Sequence, residues 1–251
     1  MTEPVTIIGS PVSPYVRKVL AACAVKRIAV EIDPMPPFLA RDGFTDLSPL
    51  RRIPVWIEGD VTLCDSSVIV QYIEETRPGP SLWPADPVER AKARFIEEFA
   101  DTRLFDVLGW KLYFQLALKP IFFGGESDAA VVERARETEL PAIFDYLEGV
   151  TPESGFLFGE LSLADLSLAP AFLNGRAVQV NVDPERWPRL AAWLERVETE
   201  TPLGELNKLA RKLMRTPPHA QRARLEEFGL TPATAHDWAG DVPRPGPMTP
   251  Q

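Results

Sequence analysis

Three short segments of the sequence combine residue types that could do chemistry. In Ser13-Pro14 a hydroxyl precedes a proline where a strand-like run has ended and a helical pattern begins. Serine is favoured as an N-cap and proline at the first helical position, so capping is the commoner use. The same geometry has a second use: a helix N-terminus attracts anions, and a hydroxyl there can donate to a thiolate and lower that thiol's pKa. Arg51-Arg52-Ile53-Pro54 leads into the third strand-like run. Its proline is either an ordinary trans residue at a strand start or a cis bond that turns the Ile53 backbone outward, to pair with a peptide-like ligand in β fashion. Arg51 and Arg52 are either a solvated pair or a receptor for a carboxylate. Asp65-Ser66-Ser67 is an N-cap cluster in its bland reading. In its functional one, Ser66 and the amides behind it hold a carboxylate while Asp65 accepts from an ammonium group.

Read together, these segments describe one small molecule. It has an amino-acid head, a peptide unit in the middle, a thiol and a distant carboxylate, and glutathione fits that description. What the chain lacks points the same way. Its two histidines, His219 and His236, both lie near the C-terminus, so residues 1–218 cannot build a Ser-His-Asp or Cys-His device. Cys23 and Cys64 are isolated, which excludes CxxC zinc pairs and disulfide exchange and suggests a reducing compartment. No metal is expected. A net charge of −9 argues against nucleic acid as a partner. Met1–Ile8 has no basic leader, and no apolar run is long enough to span a membrane, so a cytoplasmic protein is expected.

The elements that must position these residues follow from periodicity and from proline, of which there are 26. Val5–Ile8 reads as a buried strand, Val16, Val19, Leu20 and Cys23 as one helix face, and Ala29–Ile32 as a second strand. Asp33–Ser48 is irregular. Pro54–Ile57 and Val61–Cys64 flank Gly59-Asp60 as a hairpin, and a helix with Ile69, Tyr72 and Ile73 on one face follows. The order is βαβ then ββα, a thioredoxin-like arrangement. Pro78, Pro80, Pro84 and Pro87 mark a linker, and everything after it is helical. Helices are expected from Asp86-Pro87 to about Leu118, over Asp128–Leu147, from the capping-box-like Ser162-Leu-Ala-Asp165, and from Asp183-Pro184. The expected domains are 1–77 (α/β, thioredoxin-like), a linker 78–87, an all-helical 88–229 and a proline-rich tail 230–251 that frays.

Ser13-Pro-Tyr-Val-Arg-Lys-Val19, Ser48-Pro-Leu-Arg-Arg-Ile-Pro-Val55 and Asp65-Ser-Ser-Val-Ile-Val-Gln-Tyr-Ile-Glu74 together resemble the soluble glutathione transferase superfamily. Phe158-Gly-Glu-Leu-Ser-Leu-Ala-Asp165 and Trp187-Pro-Arg-Leu-Ala-Ala-Trp-Leu-Glu-Arg-Val197 resemble its helix-capping segment and late helix. The likeness covers about residues 4–204. It implies a serine-type, bacterial member and assigns Ser13 to stabilising the glutathione thiolate. It implies that Ile53, beside a cis Pro54, pairs with the cysteinyl backbone, that Asp65 and Ser66 hold the γ-glutamyl head, and that Arg52 contacts the tripeptide. Asp101 would approach that head across a homodimer interface. Ser10 and Tyr15 are alternative hydroxyls.

The chain departs from the usual pattern in three places: Asp65 replaces a longer Glu or Gln, Arg51-Arg52 replaces Gly-Lys, and the approach to the capping segment is short. The expected activity is transfer of glutathione to a small apolar electrophile, as in detoxification. Isomerase, dehalogenase or ether-cleaving chemistry with the same thiolate is an alternative, as is a binding protein without turnover. The aromatic run around Phe105, Trp110 and Phe114 suggests the apolar acceptor, with Tyr15, Phe105, Leu108, Leu112 and Tyr113 as candidate lining residues; core packing is the other use of such a run.

Overall fold

The computed structural model describes residues 5–247 and 249. Pro250 and the first four residues, on which two of the sequence expectations touched, lie outside the described residues. The chain divides into two compact units, residues 1–80 with 205–251, and residues 81–204.

The first unit is built on a five-stranded sheet of order β4-β3-β1-β2-β5. β1 (Val5–Ile8) is apolar along most of its length and buried throughout, as a central strand must be. α1 (Pro14–Lys26) crosses over to β2 (Val30–Asp33), which pairs parallel to β1. Arg27 ends α1 in the left-handed region, φ 56°, with its amide turned back on Cys23 and Ala24. After a single turn at Pro37–Leu39 and the short α2 (Phe44–Leu47), β3 (Val55–Glu58) and β4 (Val61–Cys64) form the expected hairpin. α3 (Ser66–Thr76) follows and stops at Arg77, one residue before Pro78. The core between the sheet and these helices holds Ile7, Val16, Val19, Ile32, Trp56, Ile69 and Ile73, all without accessible surface.

In the second unit Asp86 caps α4 (Pro87–Phe99) by accepting from the Val88 and Glu89 amides. The helix runs on through two stretches in the wider i→i+5 register, Ala100–Leu104 and Asp106–Phe123, past Pro120 and beyond the Leu118 expected from sequence. α5 (Ala129–Arg134) continues through a similar stretch into α6 (Leu140–Val150). The capping box opens α7 (Leu163–Leu168), which is followed by α8 (Pro170–Ala177) and α9 (Pro188–Glu200).

Two expectations are corrected by the structure. α9 begins at Pro188, not at Asp183-Pro184. Asp183 does accept from the Glu185 amide at 2.9 Å, but Trp187 is held at φ −129°, ψ 65°. A residue before proline avoids helical geometry, so the first turn cannot join the helix. The other correction concerns residues 205–251, which group with the first unit rather than extending the helical one. α10 (Leu203–Leu213) and α11 (Pro218–Leu225) lead into β5 (Thr231–Pro232), which adds to the edge of β2. A proline has no amide to donate, but an edge strand has one side on which none is needed. The proline cluster at 78–87 is likewise divided: Ser81 onward belongs to the second unit, where the Leu82 carbonyl accepts from the Leu163 amide at 2.8 Å.

Candidate functional site

The register of the sheet decides which loops meet. Ile8 at the end of β1 lies beside Val55 at the start of β3, and Val55 lies beside Cys64 at the end of β4. The residues just beyond that row are therefore Gly9 to Ser13, Ile53-Pro54 and Asp65-Ser66. Gly9 shows how closely these segments approach: a Cβ there would stand 2.7 Å from Val16 Cγ2 and 3.0 Å from Ile53 Cβ. Its φ of +149° also suits only glycine. Topology thus brings Ser13, Ile53 and Asp65, distant in sequence, to one end of the sheet's strands.

Ser13 is the N-cap of α1, with extended backbone at φ −68°, ψ 130°, yet its side chain makes no capping hydrogen bond. The half-buried hydroxyl has the position of a cap and does not serve as one. Two buried cations set this corner, and sequence reasoning missed both. Arg17 Nη1 donates to the Pro11 and Val12 carbonyls at 3.1 and 3.2 Å, fixing the loop that carries Ser13. Lys18 Nζ donates to Ser67 Oγ at 3.0 Å, tying α1 to the start of α3. Their positions in a helical stretch gave no sign that they would be buried.

The Ile53–Pro54 peptide is cis, as the resemblance implied. Sheet pairing begins at Val55, so the Ile53 N–H and C=O stand outside the ladder. Asp65 occupies the left-handed half of conformational space, φ 82°, where few non-glycine residues are found. Its Oδ1 accepts from the Ser67 and Val68 amides at 2.9 and 3.4 Å, and the residue is exposed. Ser66 beside it is buried. The two arginines, which sequence could not separate, have different roles. Arg51, with φ 52°, turns its Nη2 onto the Ala40 carbonyl at 2.8 Å, while the Arg52 side chain is exposed and only its amide is used, donating to Ser48 Oγ at 2.9 Å.

Other candidates separate as clearly. Ser10 is buried with its hydroxyl donated to Gln221 Oε1 at 3.1 Å, which removes it as an alternative to Ser13. Cys23 is buried and its thiol is pushed up to about 12, so it is inert at neutral pH. Tyr15 is half-buried on the first turn of α1. The remaining lining candidates and Asp101 lie in the helical unit. There Leu108 and Leu112 have almost no accessible surface and pack in the core, while Phe105 is half-exposed and its ring crosses Gly109. Phe105, Trp110 and Phe114 form a ladder of edge-to-face rings at 5.5 and 5.7 Å. Tyr113 is nearly covered and Asp101 is half-buried. No described helix is long and apolar enough to cross a membrane.

Comparison with known proteins agrees with this geometry. Residues 7–81 match the family model for the glutathione S-transferase N-terminal domain, and residues 129–196 the one for the C-terminal domain. The chain is similar to a glutathione S-transferase from Hyoscyamus muticus, 32% identical over 193 residues, which spans 74% of this chain and 89% of the relative. It is also similar to a probable maleylacetoacetate isomerase 1 from Drosophila melanogaster, 31% identical, spanning 66% of this chain and 67% of the relative. Among solved structures, a glutathione S-transferase from Rhodospirillum rubrum F11 superposes with a TM-score of 0.71 at 25% identity, covering 78% of this chain and 88% of that one.

Proposed function

Because the chain belongs to the glutathione S-transferase family, we propose that it is a glutathione-dependent enzyme in which Ser13 stabilises the ligand's thiolate. The observation that carries this reading is the Ser13 hydroxyl, which stands at the N-cap of a 13-residue helix without making the capping bond. Glutathione supplies the nucleophilic sulfur, and the protein has only to hold it and lower its pKa. Ser13 donates its hydroxyl proton to the sulfur, and the positive end of α1 adds to the field there. A charge-assisted bond of about 1.5–3 kcal/mol corresponds to roughly one to two pKa units.

The remaining groups fit the rest of the tripeptide. Ile53 offers its N–H and C=O to the cysteinyl unit. Asp65 Oδ2 accepts from the α-ammonium, and Ser66 with the first amides of α3 holds the α-carboxylate. Arg52 meets the glycyl carboxylate. Asp101 of the partner subunit, in a homodimer, would add a second acceptor for the ammonium. The aromatic ladder from Phe105 to Phe114 supports an apolar acceptor molecule. Isomerisation by the same thiolate is the second reading, favoured by the likeness to the Drosophila protein. Asp65, though shorter than Glu or Gln, still offers a carboxylate, and Arg52 offers a cation in place of the usual lysine.

Calorimetric titration with glutathione, with a thiolate absorbance readout, tests the reading on wild type and Ser13→Ala. Saturable binding at millimolar concentration is expected, with the bound thiol's pKa raised by about one to two units in the variant. A wild type that shows no saturable binding overturns the enzyme. Binding with a thiolate signal indifferent to Ser13→Ala removes Ser13 from its role.

A further inference from the structure

Residues 34–52 make up most of the connection from β2 to β3 and carry Arg51 and Arg52 at their end, yet their regular structure is one turn and the four-residue α2. The order of such a segment has to come from contacts outside it. The far end of the chain supplies them. Arg222 on α11 donates from Nη2 to Asp33 Oδ1 at 2.8 Å and to the His236 carbonyl at 3.0 Å, and from Nη1 to the Ala233 carbonyl. The Trp238 amide donates to Asp33 Oδ2 at 2.7 Å, and Asp33 itself is buried at the end of β2. Burial pushes the Asp33 pKa up, while the Trp238 amide and Arg222 pull it back.

From that anchor the chain runs along the connecting segment. Arg41 donates its amide to the Trp238 carbonyl at 3.0 Å, Gly240 to Leu39 at 2.6 Å, and Arg244 to Phe38 at 2.7 Å. The Arg41 guanidinium reaches the Asp237 carbonyl at 2.9 Å, and Arg244 pairs with Asp42. The Trp238 ring lies 5.8 Å from that of Phe44 on α2. Arg51, bonded to the Ala40 carbonyl, joins this braced stretch to Arg52 and the cis peptide.

We propose that residues 231–244 form a strap that presets the 34–52 segment, with Trp238 as a positioning residue that holds Arg52 ready for the far carboxylate of the peptide ligand. The proposal rests on the glutathione reading of the site and names a part of the chain that regulates its affinity. Without the strap the segment would be ordered at the expense of binding. Ser13 lies on a different element, so the strap governs how tightly the ligand is held and leaves the sulfur chemistry alone. Trp238 is the residue to test, because Gln221 also touches Ser10 and Arg222 also holds α11 to the sheet.

The experiment compares wild type, Trp238→Ala and Trp238→Phe by glutathione calorimetry, by amide hydrogen exchange over residues 38–48, and by the thiolate pKa at saturating glutathione. Trp238→Ala is expected to weaken glutathione binding about tenfold, the scale set by ordering a few residues, and to speed exchange in that stretch. Saturating glutathione restores protection, the thiolate pKa stays at the wild-type value, and Trp238→Phe recovers most of the affinity. Faster exchange with unchanged affinity overturns the strap's role in binding, and unchanged exchange overturns the strap itself. A wild type that does not bind glutathione defeats the reading of the site instead, so the two failures are distinguishable.

Discussion

Two helix starts in this chain use the same residue type for opposite ends. At α7, Ser162 and Asp165 close a capping box in which nothing is left over. Asp165 is fully buried and accepts from the Ser162 amide at 3.0 Å, the Ser162 hydroxyl at 2.8 Å, the Leu157 amide at 3.0 Å and Trp193 Nε1 at 2.9 Å. At α1, Ser13 stands in the equivalent place, half-exposed, with its hydroxyl making no cap. Local sequence favours a cap at both. What separates them is whether the polar side chain is consumed by its own fold, and a serine that is not consumed at a helix N-terminus is open to a ligand.

The widest gap between the two starts should appear in stability. Asp165→Ala removes the shared acceptor of four donors, three of whose bonds are buried. A loss of about 3–5 kcal/mol is expected, the range for deleting one partner of a buried charged network. Urea denaturation followed by tryptophan fluorescence measures it; a loss below 1 kcal/mol, far under the range for such networks, would mean the box is decoration. Burial pushes the Asp165 pKa up against the pull of those donors, so the network's hydrogen bonds are what keep a carboxylate tolerable there.

Ser13→Ala is the matching cut at the other helix. Caps that are used cost about 1 kcal/mol when removed, whereas this change should cost less than about 0.5 kcal/mol. The same denaturation measurement checks it, and the contrast with the thiolate readout sharpens the comparison: a residue that shifts the ligand's thiol and not the fold is held for the ligand. A stability loss like that of an ordinary cap would return Ser13 to the bland reading.

Much of this was legible in the sequence because the decisive residues are local. Ser13, Ile53-Pro54 and Asp65-Ser66 each sit at the mouth of an element whose period is plain, and the βαβ–ββα order brings such mouths to one end of the strands. What could not be read depends on partners far along the chain. β5 is two residues long and includes a proline, too short to show any period, and its partner β2 is some two hundred residues away. Ser10 is set apart from Ser13 by its burial and by Gln221, which takes its hydroxyl. Arg51 and Arg52 are neighbours of the same type, and only the left-handed backbone at Arg51 turns one inward. Asp183-Pro184 carries the same signature as Asp86-Pro87 and failed because a second proline follows four residues later.

The comparison extends along α1 itself, which on the proposed reading treats two thiols in opposite ways. Its N-terminus is proposed to favour an ionised sulfur at Ser13, while its middle buries Cys23 and pushes that thiol from 9.0 up to about 12. A thiol raised in the folded state gives stability that is fully present below pH 9 and is lost as pH climbs toward 12, because the unfolded chain releases the proton first. Between pH 8 and 10 the wild type should therefore lose about 1.4 kcal/mol relative to Cys23→Ala, in which this linkage is absent. Other alkaline groups titrate in both proteins and cancel in the difference. Urea midpoints of the pair at the two pH values give the number directly, and a gap that does not change with pH would show that Cys23 is not sealed in the core. That result would also weaken the division of labour along the helix, since a core open to hydroxide could not keep one thiol protonated while the exposed turn above it stabilises another as the anion.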